Sequence, residues 1–300
     1  MWHSSGAIIL VLLLERFLPE QGDFDPLAWL ADWIDSVELR FNGGEGGQGT
    51  AAYALVAGAT FLVVLLLQTL LLEIGTVMRF GFDVLLLWMF VRLVRPLQVT
   101  AVVRQVIEDD DQSLVESSLD KLPQSSIELG GETNNTWLAV SRLLTAANKH
   151  GISPIFWYLL LGPAGTVLQY VSAQTARRWD WRRSRFQQFG RTAYAANQIL
   201  SWLPTRILAL GYALMGNFED AIGNWRRNHD VWTGDGDELL LAVGTGALGL
   251  ESDPDNADRS AVFPVDVSLI DRSRALVMRA FIFWFATGCI LAIYSMAART

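Results

Sequence analysis

The sequence predicts an all-α, polytopic helical membrane protein with about four to six membrane-embedded segments and helical cytoplasmic regions. Two observations predict it. Of the 300 residues, 51% are apolar and only 18% charged, with 12 Trp and 15 Phe; aromatic residues concentrate at bilayer interfaces. Several apolar runs are also long enough to enter a bilayer, whose hydrocarbon core is about 30 Å thick.

The clearest run is 51–72, AAYALVAGATFLVVLLLQTLLL, which carries no charge. A second, 76–94, holds Arg79 and Asp83 near its start and Arg92 near its end. Terminal charges snorkel to the interface, whereas Asp83 facing lipid would be costly. Glu73 to Thr76 is the expected turn between these runs. A third span is expected at 275–298, where Arg279 snorkels. In the N-terminal stretch 6–18, Glu15-Arg16 follows the apolar residues, and the basic start and small-residue cleavage site of a signal peptide are lacking. It reads as a short, uncleaved membrane helix.

Six regions follow. Residues 1–50 are a short membrane helix with an acidic, Gly-rich loop (FNGGEGGQGT), and 51–95 are a transmembrane pair. Residues 96–151 are a polar helical region. Residues 152–216 hold a broken membrane segment, an Arg-rich loop and a second apolar segment. Residues 217–273 are again polar and helical, and 274–300 are the C-terminal span.

The broken segment GISPIFWYLLLGPAGTVLQY, 151–170, is interrupted by Gly162-Pro163. Two readings stay open. It is a single kinked span, or a re-entrant hairpin with Gly162-Pro163 at the apex. Non-helical backbone at membrane depth is tolerated only where protein or water covers it.

Six arginines lie within 177–191. Directly after a membrane segment they are the strongest positive-inside signal of the chain. They also suit lipid headgroups or a phosphate-bearing ligand. Residues 19–50 and 96–150 are assigned to the cytoplasm; a hairpin would put 174–195 there too, whereas a single kinked span would put 96–150 and 174–195 on opposite sides. Arg206 sits in the apolar stretch 199–216 and either meets a carboxylate or phosphate ligand or pairs with Glu219 or Asp220.

Other motifs read blandly. Asp109 to Asp111 are expected at a solvated helix start. His150 reads as a loop residue, and Asn148 as a cap for the following segment. The stretch 217–232 reads as a surface helix, with Trp225 and Trp232 as packing anchors. GTGALGL, 244–250, lacks the Lys-Ser/Thr of a phosphate loop. One cysteine, Cys289, excludes a disulfide framework, and three scattered histidines give no metal site. A net charge of −8 excludes a generic nucleic-acid binder.

PIFWYLLLGPAGTVLQY, then FQQFGRTAYAANQILSWLPTRILALGYALMGNFEDA, then LLLAVGTGALGL resembles the AmpE proteins of Gram-negative bacteria, within the CobD/CbiB membrane proteins. Pro154, Gly162, Gly165, Phe189, Gly190, Pro204 and Arg206 carry the likeness; Pro154, Gly162, Pro163, Gly165, Phe189, Gly190 and Pro204 are expected to be structural. The resemblance implies a bacterial inner-membrane regulator of β-lactamase induction and muropeptide sensing. Its partners would be membrane lipids and an anionic small molecule or a cell-wall signalling protein.

The CobD/CbiB enzymes make adenosylcobinamide phosphate, and the resemblance places carboxylates around this scaffold. Here the stretch before Pro154, TAANKHGIS, has none. Arg177 and Arg178 fall where acid and hydroxyl groups stand in those enzymes, beside a retained Thr175, and Asn197-Gln198 replace an acidic pair. Hard cations need oxygen ligands, preferably charged. The expectation is therefore a non-catalytic scaffold with no cofactor, whose ligand-binding candidates are Asn148, Thr175, Arg177, Arg178, Asn197 and Arg206. The alternative is a cobinamide-phosphate synthase-like transferase using ATP and Mg²⁺.

Overall fold

The computed structural model describes residues 6–8, 10–11, 14–15, 28–43, 46–92, 94–109, 112–123, 134–227, 236–250 and 266–297. Among the described residues every regular element is helical. In chain order these are α1 (Ala28–Phe41), α2 (Gly46–Ile74), α3 (Thr76–Phe90), α4 (Val94–Glu108), α5 (Gln112–Leu119) and α6 (Asn135–Ala147). A π-turn, Asn148–Ile152, leads into α7 (Ser153–Leu161) and α8 (Pro163–Arg178). Then come α9 (Arg191–Met215), α10 (Phe218–Arg227), α11 (Gly236–Ala247) and α12 (Ser268–Ala297). They divide into two compact units: 1–92 with 153–203, and 93–152 with 204–300. The helix α9 supplies its first half to one and, from Pro204, its second half to the other.

In the first unit, α2 follows from its own composition. Its only charge is Glu73, the last residue but one. Ala52, Val56, Thr60, Val64 and Gln68 are buried. They recur every four residues and so form one inward stripe. Leu62, Leu66 and Leu70 on other faces are exposed. Gly75, as expected, separates α2 from α3. The second run ends earlier than its apolar composition suggests. With 15 residues, α3 is about 22 Å long, short of an upright span. Asp83 does not face outward: it is buried, and the Tyr158 hydroxyl donates to its Oδ2 at 3.5 Å. Ala7, Ile8 and Val11 of the N-terminal segment pack with Leu87, Val91 and Tyr158.

The broken segment is a helical hairpin. Gly162 has φ +70°, a conformation that costs a non-glycine residue roughly 1–2 kcal/mol. Pro163 then starts α8, where its fixed φ suits the first helical position. The Thr166 hydroxyl donates to the Pro154 carbonyl at 3.2 Å, which a continuous helix of that length cannot do. A Cβ on Gly165 would sit 2.6 Å from the Trp157 carbonyl oxygen, so the missing side chain lets α7 and α8 close. Two contacts set the hairpin against α2, and a third sets the start of α9 there. Gly162 lies by Gln68, a Cβ there coming 3.2 Å from Nε2. Tyr53 and Ser172 share a hydroxyl hydrogen bond of 2.8 Å, and Thr50 and Thr192 another of 2.8 Å. The apex therefore stands about 27 Å along α2 from Thr50, at 1.5 Å per residue.

The polar helical region 96–151 contributes to the core of the second unit. The helix α6 is largely buried: Trp137, Val140, Leu143 and Leu144 join Leu208, Tyr212, Leu240 and Ile270 in one core. The GTGALGL stretch belongs to a buried helix end. A Cβ on Gly246 would lie 2.6 Å from the Asp220 carbonyl oxygen, so glycine serves close packing of α10 on α11. Trp225 packs on this core, while Trp232 lies outside the described residues. Asp109 closes α4, its N–H donating to the Gln105 carbonyl. It is therefore not at a helix start; Asp110 and Asp111 lie outside the described residues.

Two helices, Gly46–Ile74 and Ser268–Ile290, are long and apolar enough to cross a membrane. On α12, Met278, Ile282, Phe285 and Ile290 are exposed.

Candidate functional site

A buried polar cluster of the second unit forms where α6 gives way to the π-turn. Such turns insert one residue and re-aim the side chains around it. The Asn148 N–H donates to the Thr145 carbonyl, and the Leu144 carbonyl accepts from the Tyr212 hydroxyl at 2.9 Å. Asn148 is thereby held with its side chain inward, 4% exposed. Its Nδ2 donates to Thr205 Oγ1 at 2.8 Å. Its Oδ1 is buried with no hydrogen-bond partner among the described residues. An unmatched buried acceptor costs about 1–3 kcal/mol, which a water or a ligand donor at Oδ1 would offset.

Lys149, the next residue, donates from Nζ to Asp237 Oδ2 at 2.5 Å. The Lys149 side chain is 34% exposed and that of Asp237 6%. Asp237 stands in the first turn of α11, where the helix dipole favours an anion. Gly236 before it lies against Thr205, a Cβ there coming 3.0 Å from Oγ1. Thus Asn148, Lys149, Thr205 and Asp237 make one polar group: a buried amide acceptor, a cation, a hydroxyl and a carboxylate. The set can orient a polar ligand and balance charge of either sign.

The remaining sequence candidates lie elsewhere. The Thr175 hydroxyl is buried and bonds its own helix, donating to the Val171 carbonyl at 2.7 Å. Arg178 pairs with Asp35 at 2.5 Å, and Arg185 with Glu38 at 2.6 Å, so two of the six arginines tie to α1. Arg177 is exposed. Asn197 has a buried Oδ1 with no partner among the described residues, and its carbonyl accepts from the Ser201 hydroxyl. Asn148 is no N-terminal cap; its amide serves Thr205. Pro154, Gly162, Pro163 and Gly165 build the hairpin. Phe189 is buried against Trp179, ring centroids 4.7 Å apart. A Cβ on Gly190 would come 1.8 Å from the Trp179 carbonyl oxygen. Pro204 is buried within α9, and Arg206 follows it, half-buried.

Sequence reasoning missed Lys149, Thr205 and Asp237. A signal was present: Asp237-Glu238 directly before an apolar run is the pattern of an acidic helix start.

A family model described as CobD/Cbib protein matches residues 8–253. The chain belongs to the CobD/CbiB family. Two relatives are named cobalamin biosynthesis protein CobD. The one from Stutzerimonas stutzeri is 25% identical over 244 residues, covering 81% of this chain and 80% of the relative. The one from Chromobacterium violaceum is 26% identical over 258 residues, covering 83% and 81%. No solved structure matches.

These relatives overturn the expected role in β-lactamase induction and muropeptide sensing, since CobD proteins carry a name from cobalamin biosynthesis. That expectation weighed the carboxylates missing near Pro154. The fold brings a carboxylate to this stretch from 88 positions away in the chain.

Proposed function

We propose that this CobD/CbiB-family chain acts in cobalamin biosynthesis as a cobinamide-phosphate synthase-like protein of the bacterial inner membrane. The observation that carries the reading is the extent of the likeness: about four-fifths of the chain aligns with about four-fifths of each CobD relative. The cluster of Asn148, Lys149, Thr205 and Asp237 supports it as the ligand-orienting part. Multi-pass insertion is supported by α2 and α12 and by the exposed apolar faces they carry.

The proposed reaction class brings in ATP and Mg²⁺. Among the described residues no three His, Cys, Asp or Glu side chains come together, and Asp237 is already engaged by Lys149. These residues do not fit a protein-only Mg²⁺ cage, which needs several oxygen ligands in near-octahedral array. The work assigned to the chain's own residues is binding and orientation. Asn148 Oδ1 accepts a ligand N–H or O–H, and Lys149 supplies positive charge beside it.

Complementation tests the reading. A bacterial host lacking its own CobD, grown where it depends on making cobalamin, should recover with this chain and accumulate adenosylcobinamide phosphate, measured by mass spectrometry. A well-expressed, membrane-inserted chain that leaves growth and product absent would sink the proposal.

A further inference from the structure

The arginine loop sits at a definite height on the first unit. The uncharged stretch 51–72 is about 33 Å long as helix, close to the thickness of the hydrocarbon core. Its first residue therefore marks one edge of that core. Thr192, one residue past the loop, is bonded to Thr50 at 2.8 Å. A Cβ on Gly49 would come 2.1 Å from the Phe189 carbonyl oxygen, so the loop backbone touches α2 at that edge. Headgroups occupy this level.

Residues 177–191 hold six arginines and a single acid, Asp180. Arg178 and Arg185 are matched by Asp35 and Glu38 of α1. Asp180 lies 4.0 Å from Arg183, whose side chain is 73% exposed. Arg177, Arg182 and Arg191 are exposed as well. Trp181, also exposed, rests its ring 5.7 Å from that of Tyr194. A tryptophan among arginines at the end of a span is the composition of a membrane interface, where the ring sits at headgroup level. Guanidinium groups bind phosphate oxygens in a fork.

We propose that residues 177–191 form a docking surface for anionic phospholipid headgroups, with Arg177, Arg182, Arg183 and Arg191 as the phosphate ligands and Trp181 as the interfacial anchor. The proposal rests on the membrane insertion of α2 but not on a role in cobalamin synthesis. Each basic residue near an anionic surface adds about fivefold in affinity.

The purified chain in nanodiscs tests this, by native mass spectrometry of retained lipid and by the melting midpoint. In discs of phosphatidylcholine with added phosphatidylglycerol, the chain should retain phosphatidylglycerol and melt higher than in phosphatidylcholine alone. The variant Arg182→Gln/Arg183→Gln/Arg191→Gln should lose retention roughly tenfold or more and lose the gain in midpoint. The matching Arg→Lys variant should keep most of both, which separates charge from folding. Undiminished retention in the Gln variant overturns the proposal. So does an equal rise in midpoint from free inorganic phosphate in phosphatidylcholine discs, which would assign the arginines to a soluble anion.

Discussion

Lys149 Nζ meets Asp237 Oδ2 at 2.5 Å across 88 positions of sequence, and the two ends of this pair are unequally buried. The Asp237 side chain is 6% exposed and that of Lys149 34%. Removing the lysine leaves a carboxylate without this cation in a nearly closed environment, which costs about 3 kcal/mol. Removing the carboxylate leaves an ammonium that can turn toward water, at a cost of about 1 kcal/mol. Lys149→Met should therefore destabilise the chain more than Asp237→Asn in denaturant titrations in detergent. Their double variant should recover part of the sum, as coupled neighbours do. Equal single costs with strict additivity would show that the pair does not act as a unit.

The neighbouring amide separates support from ligand contact. Thr205→Val removes the acceptor of Asn148 Nδ2 and should cost about 1–3 kcal/mol of stability. Asn148→Ala removes the amide together with its unmatched Oδ1, so its stability loss should be the smaller of the two. Its effect on function should be the larger: complementation falls although the protein accumulates normally. Normal complementation by Asn148→Ala would remove Asn148 from the site.

How much was legible in the sequence follows from the range of each interaction. The apolar run of α2, the break at Gly75 and the importance of Gly162-Pro163 are local properties, and composition displays them. The hairpin rests on Thr166 reaching Pro154 and on Gly165 clearing Trp157, where sequence alone left a kinked span open. The pairing of Lys149 with Asp237 and of Arg178 with Asp35 depends on which helices pack together. No local pattern encodes that. The missing carboxylate near Pro154 was judged on neighbours in sequence, although α11 delivers one in space.

The hairpin makes a steric prediction. Gly165→Ala places a Cβ 2.6 Å from both the Trp157 carbonyl oxygen and Leu161 Cβ. Forced shifts of this kind cost about 1–3 kcal/mol. Gly162→Ala adds strain at φ +70°, about 1–2 kcal/mol. Gly58→Ala, in the interior of α2 with nothing within 4 Å of the added atom, should instead be neutral or stabilise by about 0.5–1 kcal/mol. Thermal unfolding in one detergent ranks all three. If Gly58→Ala is as damaging as Gly165→Ala, helix closure at 165 is not the reason for glycine there.

The same hairpin dictates topology. Its apex lies beside Gln68 on α2, while Ser172 returns to the level of Tyr53. The second arm thus leaves on the side of the arginine loop, and the turn at Gly162 sends α7 back toward that side. In a Cys289→Ser background, single cysteines at Gly47, Ser113 and Gln187 should react with an impermeant maleimide from one face, the cytoplasmic one, because basic loops stay inside. A cysteine at the exposed Glu73, past the far end of the uncharged stretch, should react from the other face. Labelling of positions 113 and 187 from opposite faces would mean that 153–178 crosses the bilayer once. The arginine loop would then lie across the membrane from the residues that precede the hairpin.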